Sequence, residues 1–406
     1  MPKEYDAIVV GARCAGSPTA MLLARLGYRV LLVDHASFPS DTLSTHMIHA
    51  PGVAALSRWG LLERVIATGC PPIDRYAFDF GFFTISGTPA GSGGVSVGYA
   101  PRRTVLDKIL VDAADEAGAE VRERFSFEGL VRSDDGTVTG IRGHGPDGAT
   151  VVERARVVIG ADGRNSPVAR AVSAPTYHEK PQLQVAYYSY WSGLPGDTFE
   201  AIVRPDRAWG VIPTNDGLTV VVVGWPHAEA AAYRSDIEGN YLKTLQLSPE
   251  FAERMRGATR EERFAGGALP NFFRKPYGPG WVLVGDAGYT KDPITAQGIS
   301  DAFRDAEACA VALDRVFTGG QSFDTVMAAY QQIRDTQALP IYEFTTQLAT
   351  LAPPPPEVAQ LLAAVAGSPA AMNAFASMVA GTLSPEDFFA PEHIGEIMAA
   401  AATMVG

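Results

Sequence analysis

Short unbroken apolar runs and stretches of helical spacing alternate along the first part of the chain. Residues 5–10 form an apolar, β-branched run, the pattern of a strand buried on both faces of a parallel sheet. Gly11 and Gly16 bound a break in that run. Residues 15–26 then carry apolar positions at helical spacing; Pro18 is tolerable near the first turn, and Gly27 supplies a stop. Residues 28–33 return to a short apolar run that ends at Asp34. Strand, turn, helix and strand in this order predict a βαβ unit. Farther on, Val105, Leu106, Ile109, Leu110 and Ala113 predict a helix over 103–117. Residues 151–159 and 281–284 read as strands, and 298–317 as a helix. From Asp324 onward the chain is mostly helical, with the prolines at 353–356 as a linker.

The middle of the chain changes period. In 183–191, alternation places Val185, Tyr187, Ser189 and Trp191 on one face and Gln184, Ala186, Tyr188 and Tyr190 on the other. Residues 199–203 and 218–225 are similar runs, so an antiparallel sheet is expected, with Phe78, Phe80, Phe82 and Phe83 enriching an earlier stretch. No internal repeat appears. The two kinds of pattern interleave, which predicts an α/β fold with one domain threaded into another. Parallel, Rossmann-like material occupies 1–74, 101–182 and 275–340. An antiparallel-sheet domain occupies 75–100 and 183–274, and a helical region follows at 341–406.

Composition narrows the classes. With 47% apolar and 19% charged residues, the chain is too apolar for disorder. Thirty-three Lys and Arg against 45 Asp and Glu give a net charge of −12, which argues against nucleic acid as a partner. Cys14, Cys70 and Cys309 lie far apart without metal-ligand spacing, so neither a metal site nor a disulfide framework is expected. The N-terminus shows no signal-peptide layout, and a cytoplasmic location is the simplest expectation. The longest charge-free stretch, 358–385, is broken by Gly367, Pro369 and Gly381. It reads as two short packed helices and not a membrane span.

Three motifs carry candidate chemistry. Gly11-Ala12-Arg13-Cys14-Ala15-Gly16 follows a strand and opens a helix, and Asp34 ends the next strand, the context of a dinucleotide fingerprint. Gly11 permits the turn, Gly16 permits close helix–strand packing, and the helix start favours a pyrophosphate. Arg13 stands where a middle glycine is usual, so it either swings away or adds its charge to the phosphates. Gly160-Ala161-Asp162-Gly163 is a strand running into an acidic turn; alone, it is an ordinary Asp-Gly turn. Gly285-Asp286 ends a strand and is followed by Asp292-Pro293 and Gln297-Gly298-Ile299, where a helix N-terminus can stabilise an anion.

In this order and at these separations, the motifs resemble those of the FAD-dependent monooxygenases of the para-hydroxybenzoate hydroxylase type. That superfamily includes aromatic hydroxylases, epoxidases, geranylgeranyl reductases and flavin halogenases. The resemblance covers roughly 5–335. It implies that the 11–16 loop, with Gly11, Arg13, Ala15 and Gly16, holds the FAD pyrophosphate. It also implies that Asp34, beside His35, binds the ribose. Ala161 and Asp162 match the motif linked to FAD and the nicotinamide nucleotide, Asp286 the acid at the ribityl chain, and Arg103 the helix arginine at FAD. Pro293, Gly298 and Ile299 border the flavin helix, and Thr45 and His46 fall beside the ring. His46 could bond flavin or substrate or relay a proton; it could equally be a surface or structural histidine. Arg102 and Arg103 at a helix start are either solvated or near a bound anion. The run departs from the family at Ala287-Gly288-Tyr289, at Ala296-Gln297-Gly298 and at Arg170. Trp209 stands without the tryptophan partner of the halogenases, which argues against halogenation.

The resemblance implies an oxygenating flavoenzyme. NADPH or NADH docks transiently to reduce FAD, and O2 then forms a flavin C4a-hydroperoxide that oxygenates a hydrophobic or aromatic small molecule. Two rivals stand beside it: a FAD-dependent reductase of carbon–carbon double bonds, and a non-catalytic nucleotide-binding protein. The sequence names no catalytic acid or base and sets no oligomeric state.

Overall fold

The computed structural model describes residues 4–405. β1 (Tyr5–Val10) is buried along nearly its whole length because it is the centre of a parallel sheet. α1 (Gly16–Arg25) crosses to β2 (Val30–Val33), and β1 pairs with β2 in parallel from Ala7–Val30 to Val10–Val33. The next strand in sequence, β3 (Arg75–Asp79), belongs to the other large sheet. α2 (Arg103–Glu116) leads back to β4 (Glu120–Arg122), which lies parallel to β2. An antiparallel excursion follows, β5 (Ser126–Arg132) and β6 (Val138–His144), and returns through β7 (Thr150–Gly160).

β7 then pairs in parallel with the other side of β1. The chain thus leaves β1 toward β2 on one side and comes back to it on the other. That reversal opens a crevice beyond the carboxyl ends of the strands, the standard place for a ligand in such sheets.

The second sheet is mainly antiparallel. β8 (Gln184–Ser192), β9 (Thr198–Arg204), β10 (Arg207–Pro213) and β11 (Thr219–Pro226) form its body, with β12 (Ala265–Ala268) added beside β8. One of its pairings, β3 with β9, is parallel. The two faces of β8 separate as its alternation predicts. Val185, Tyr187 and Trp191 pack with Trp209, Trp225 and Tyr241, whereas Tyr188 and Tyr190 pack with Phe78, Phe199 and the C-terminal helices. Three short helices, Ala230–Arg234, Ile237–Leu245 and Pro249–Met255, cover the first face. Sequence pattern does not foresee them, because each is too short to establish a helical period.

β13 (Trp281–Leu283) extends the parallel sheet beside β7 and delivers the chain to the crevice. A three-stranded sheet of Thr176–Lys180, Asn271–Arg274 and Tyr289–Thr290 takes strands from both expected domains and ties them together. α3 (Gly298–Phe317) has the bounds its pattern predicts. α4 (Phe323–Leu348) runs through the boundary expected at 340 with Pro340 inside it. α5 (Pro356–Ala366) and α6 (Pro369–Ala380) bend against each other by 118°. Among the described residues no single helix is long and apolar enough to cross a membrane.

Candidate active site

The crevice is built from backbone before it is built from side chains. Gly11 has φ +104°, and a Cβ there would lie 2.4 Å from the Ala161 carbonyl oxygen. A Cβ on Gly16 would lie 1.7 Å from the Gly11 oxygen. The loop after β1 therefore touches the loop after β7 directly, and only glycine fits between them. The Ala12 N–H donates to Asp34 Oδ2 at 2.6 Å, and the Ala36 N–H donates to Asp34 Oδ1 at 2.8 Å. Asp34 thus joins the first loop to the end of β2, and each oxygen keeps a lone pair for a further donor.

Arg13 swings sideways but still lines the cavity described below. Its guanidinium bonds Asp107 Oδ2 at 2.5 Å, the Ser40 carbonyl at 3.3 Å and Ser40 Oγ at 3.0 Å. Asp107 also receives the Arg103 guanidinium at 2.9–3.0 Å and is completely buried. Sequence reasoning passes over Asp107, although its place four residues after Arg103 on a helix was an available signal. Arg102 points the other way: it lies 4.6 Å above the Tyr190 ring and 3.3 Å from Glu262.

These elements enclose a cavity of about 750 Å³. It is lined by Gly11, Arg13, Ala15, Asp34, His35, Thr45 and Arg103. His35 sits exposed at the rim, its Nδ1 3.2 Å from Asp34 Oδ1. Ala161, Asp162 and Asp286 also line it, as do Pro293, Gly298 and Ile299 around the start of α3. Asp34 and Asp286 thus open on one channel. Ala186, Tyr188, Val222, Gly266, Gly267 and Leu269 bring the second sheet into the same space.

Two expected residues do not line it. Gly16 is packed beneath the loop. His46, at φ +66°, is not among the lining residues, and its ring packs against Tyr188 and Tyr190 of the second sheet. There Nε2 lies 2.6 Å from the Tyr190 hydroxyl, and Nδ1 has no partner. Burial, helped by the positive charge of Arg103, pushes the His46 pKa down to about 3. The ring is fully buried, which corrects the surface reading of this histidine. His49, which the sequence does not single out, is also buried. It bridges the Tyr76 hydroxyl at 2.7 Å and the Thr295 carbonyl at 3.1 Å, and burial lowers it to about 4.

Charge is concentrated around the loop before α3. Lys291 Nζ lies 2.6 Å from the Tyr289 hydroxyl and bonds the Asp301 carboxylate, which also holds Arg304 at 2.9 Å. Burial alone would raise the Asp301 pKa, but Lys291 and Arg304 overrule it and hold it low. Asp286 faces the cavity; burial raises its pKa against the pull of Lys291 and Arg103. Burial likewise raises Asp162, whose Oδ1 has no partner while Oδ2 accepts from the Val168 N–H at 2.9 Å.

Both helices that open on this space, α1 and α3, lack a side-chain cap, whereas α4 and α6 are capped by Ser322 and Ser368. Uncapped N–H groups and the positive end of the helix dipole suit anions. A cavity with an anion-seeking helix start at two points and a carboxylate at a strand end fits a dinucleotide such as FAD.

Comparison with known proteins agrees. A family described as FAD binding domain matches residues 4–345. A digeranylgeranylglycerophospholipid reductase of Methanopyrus kandleri is 32% identical over 314 residues, covering 74% of this chain and 77% of the relative. The 3-demethoxyubiquinol 3-hydroxylase of Escherichia coli is 27% identical over 342 residues, covering 81% of this chain and 83% of the relative. In fold, the chain is similar to the myxobacterial chondrochloren halogenase, with a TM-score of 0.78 at 20% identity over 99% of this chain and 97% of that one. The chain therefore belongs to the FAD-binding family of the para-hydroxybenzoate hydroxylase type and is a FAD-dependent oxidoreductase.

Proposed function

We propose that the chain is a FAD-dependent reductase that saturates a carbon–carbon double bond in an apolar small molecule. The observation that carries this reading is the 32% identity to a prenyl-lipid reductase over 74% of the chain. The apolar wall of Ala186, Val222, Gly266, Gly267 and Leu269 supports it, because small side chains leave a smooth surface for a slender or flat substrate.

FAD, when bound and reduced by NADPH or NADH, supplies hydride. The residues of the chain bind and orient. The 11–16 loop and the start of α1 take the pyrophosphate, and Asp34 accepts from the ribose hydroxyls. Asp286 accepts from the ribityl chain. The first turn of α3 stabilises negative charge on the ring. The nicotinamide nucleotide docks transiently on the flavin domain.

The test is single turnover without oxygen. Protein reduced by NADPH is mixed anaerobically with digeranylgeranylglyceryl phosphate or with benzalacetone. Flavin reoxidation with formation of the saturated product is expected. If flavin reoxidises only with O2, and the substrate gains oxygen, the chain is a monooxygenase of hydrophobic or aromatic molecules. That second reading is favoured by the 27% identity to a ubiquinol-precursor hydroxylase over 81% of the chain.

A further inference from the structure

The sheet wall of the cavity continues beyond it. Residues paired across a sheet share a face, so the pairings carry the face of Ala186 and Tyr188 outward. Tyr188 is opposite Val222, Val222 opposite Gly210, and Gly210 opposite Ala201. In the next row, Ala186 is opposite Gly224, Gly224 opposite Ala208, and Ala208 opposite Val203. The face then reaches Phe78 on β3 and the turn after it, where Phe80 and Phe83 are half-buried and Phe82 is fully exposed.

Val222, Gly210, Ala208, Ala201 and Val203 make a floor that is small, apolar and only half-buried. The charges of these strands are on the opposite face, where Glu200, Arg204 and Arg207 pair with Arg254, Asp79 and Glu229. Trp209 turns to that side as well, against Phe251, so the one large side chain of 208–210 is kept off the floor.

The C-terminal helices roof this face through Leu361, Val365, Phe375 and Val379. Beside β3 the roof touches the sheet: a Cβ on Gly87 would lie 2.4 Å from the Met372 carbonyl oxygen. Over the floor it does not. A Cβ on Gly210 would have within 4 Å only Val222 and Glu200, both of the sheet itself, and one on Gly267, opposite Ala186, would have nothing. Gln184 folds over Gly224 and bonds Asp292, which bounds the space on one side. Ala186 and Val222 line the cavity too, so the trough is continuous with it. Four strand spacings separate β8 from β3, a span of about 19 Å.

We propose that this trough is the berth of an apolar chain carried by the substrate, which makes the substrate a lipid with a long flexible tail and not a compact ring. This deepens the reductase reading and rests on it for the double bond. A compact ring would fill the space beside the cofactor and leave the floor wet. A chain covers the floor, and each methylene it withdraws from water adds to affinity. Ala208 and Gly210 determine this specificity, because a large side chain at either position would stand where the chain must pass.

The experiment measures binding to the oxidised, FAD-loaded protein and so needs no turnover. Geranyl phosphate and geranylgeranyl phosphate, which differ only in chain length, are titrated by calorimetry. Wild type is expected to bind the longer chain at least about 10-fold more tightly. Ala208→Phe is expected to abolish that preference while affinity for geranyl phosphate, flavin content and melting temperature stay unchanged. Gly210→Val serves as a second variant. A measurement on wild type alone uses geranylgeranyl phosphate with a diazirine at its tail, which is expected on irradiation to label the 201–210 segment.

Equal affinities in wild type, a preference intact in the folded variants, or label confined to other segments would overturn the berth. Anaerobic single turnover is run separately. Flavin reoxidised by a prenyl lipid, with no preference for chain length in binding, would keep the reductase and sink the berth. A preference that the variants abolish, with no reoxidation unless O2 is present, would sink the reductase and keep the trough as the tail site of a lipid that is oxygenated.

Discussion

The two walls of the cavity are made by different means. The cofactor wall is backbone: Gly11 against the Ala161 carbonyl, Gly16 against the Gly11 carbonyl, and the Ala12 N–H on Asp34. The opposite wall is a sheet surface, where Ala186, Tyr188 and Val222 present their side chains and Asp292 leans on Gln184. A wall made of main chain has few acceptable sequences, because a single added carbon collides. A wall made of side chains can be rewritten one residue at a time without disturbing the strands beneath. The first suits a ligand common to a whole superfamily, and the second a ligand that differs between members.

If that contrast is right, changes on the cofactor wall should cost the coenzyme, and changes on the sheet wall should cost only the substrate. Gly11→Val is the severest test. It combines a disallowed φ with a backbone collision at 2.4 Å, so flavin occupancy should drop to near zero and stability should fall by about 3 kcal/mol or more. Full yellow colour in that variant would break the comparison. Asp34→Ala removes the acceptor for the Ala12 N–H and, on the proposed placement of FAD, for the ribose, and the dissociation constant of FAD should rise by about 10–100-fold in a fluorescence titration.

The seam between the walls answers to pH. The folded pKa values of His46 and His49, about 3 and 4, lie below the value of about 6.5 that a free histidine has. Between those values the unfolded chain binds more protons. The contribution of these histidines to stability is thus present above about pH 6.5 and is lost as pH falls toward 4. His49→Gln should be less stable than wild type at pH 7.5, and the gap should shrink by about 2 kcal/mol at pH 5 in chemical denaturation. A gap independent of pH would contradict a neutral His49. The mildest change is Ala186→Leu. It should leave flavin content untouched and raise KM for the alkene by about 10-fold, the scale of added methyl groups in a tight pocket.

The same contrast explains what could be read from sequence. Gly11, Gly16 and Asp34 were legible because turn geometry and helix-start electrostatics admit few residue types, and those appear at fixed spacing. The faces of β8 were legible because alternation is a property of the strand alone. Asp292 stands inside a marked motif, yet it bonds Gln184, 108 positions away, and no local pattern encodes such a partner. Lys291 and Asp301 were missed because their pairing depends on how the loop folds onto the start of α3. His46 misled because the hydroxyl its ring bonds belongs to Tyr190, 144 positions away.

The C-terminal helices give the sheet wall a foundation that the matched FAD region, residues 4–345, does not include. Asn373 and Ser377 accept from the Thr88 and Ala90 N–H groups just past the Thr84–Gly87 hairpin strand, and Gln297, one residue before α3, donates to the Val379 carbonyl at 2.5 Å. The tail is a keystone: it joins the outer strands of the sheet to the threshold of the flavin helix. Divergence in this part of the chain would shift the spacing between substrate and ring, and so retune selectivity without altering any residue that touches either.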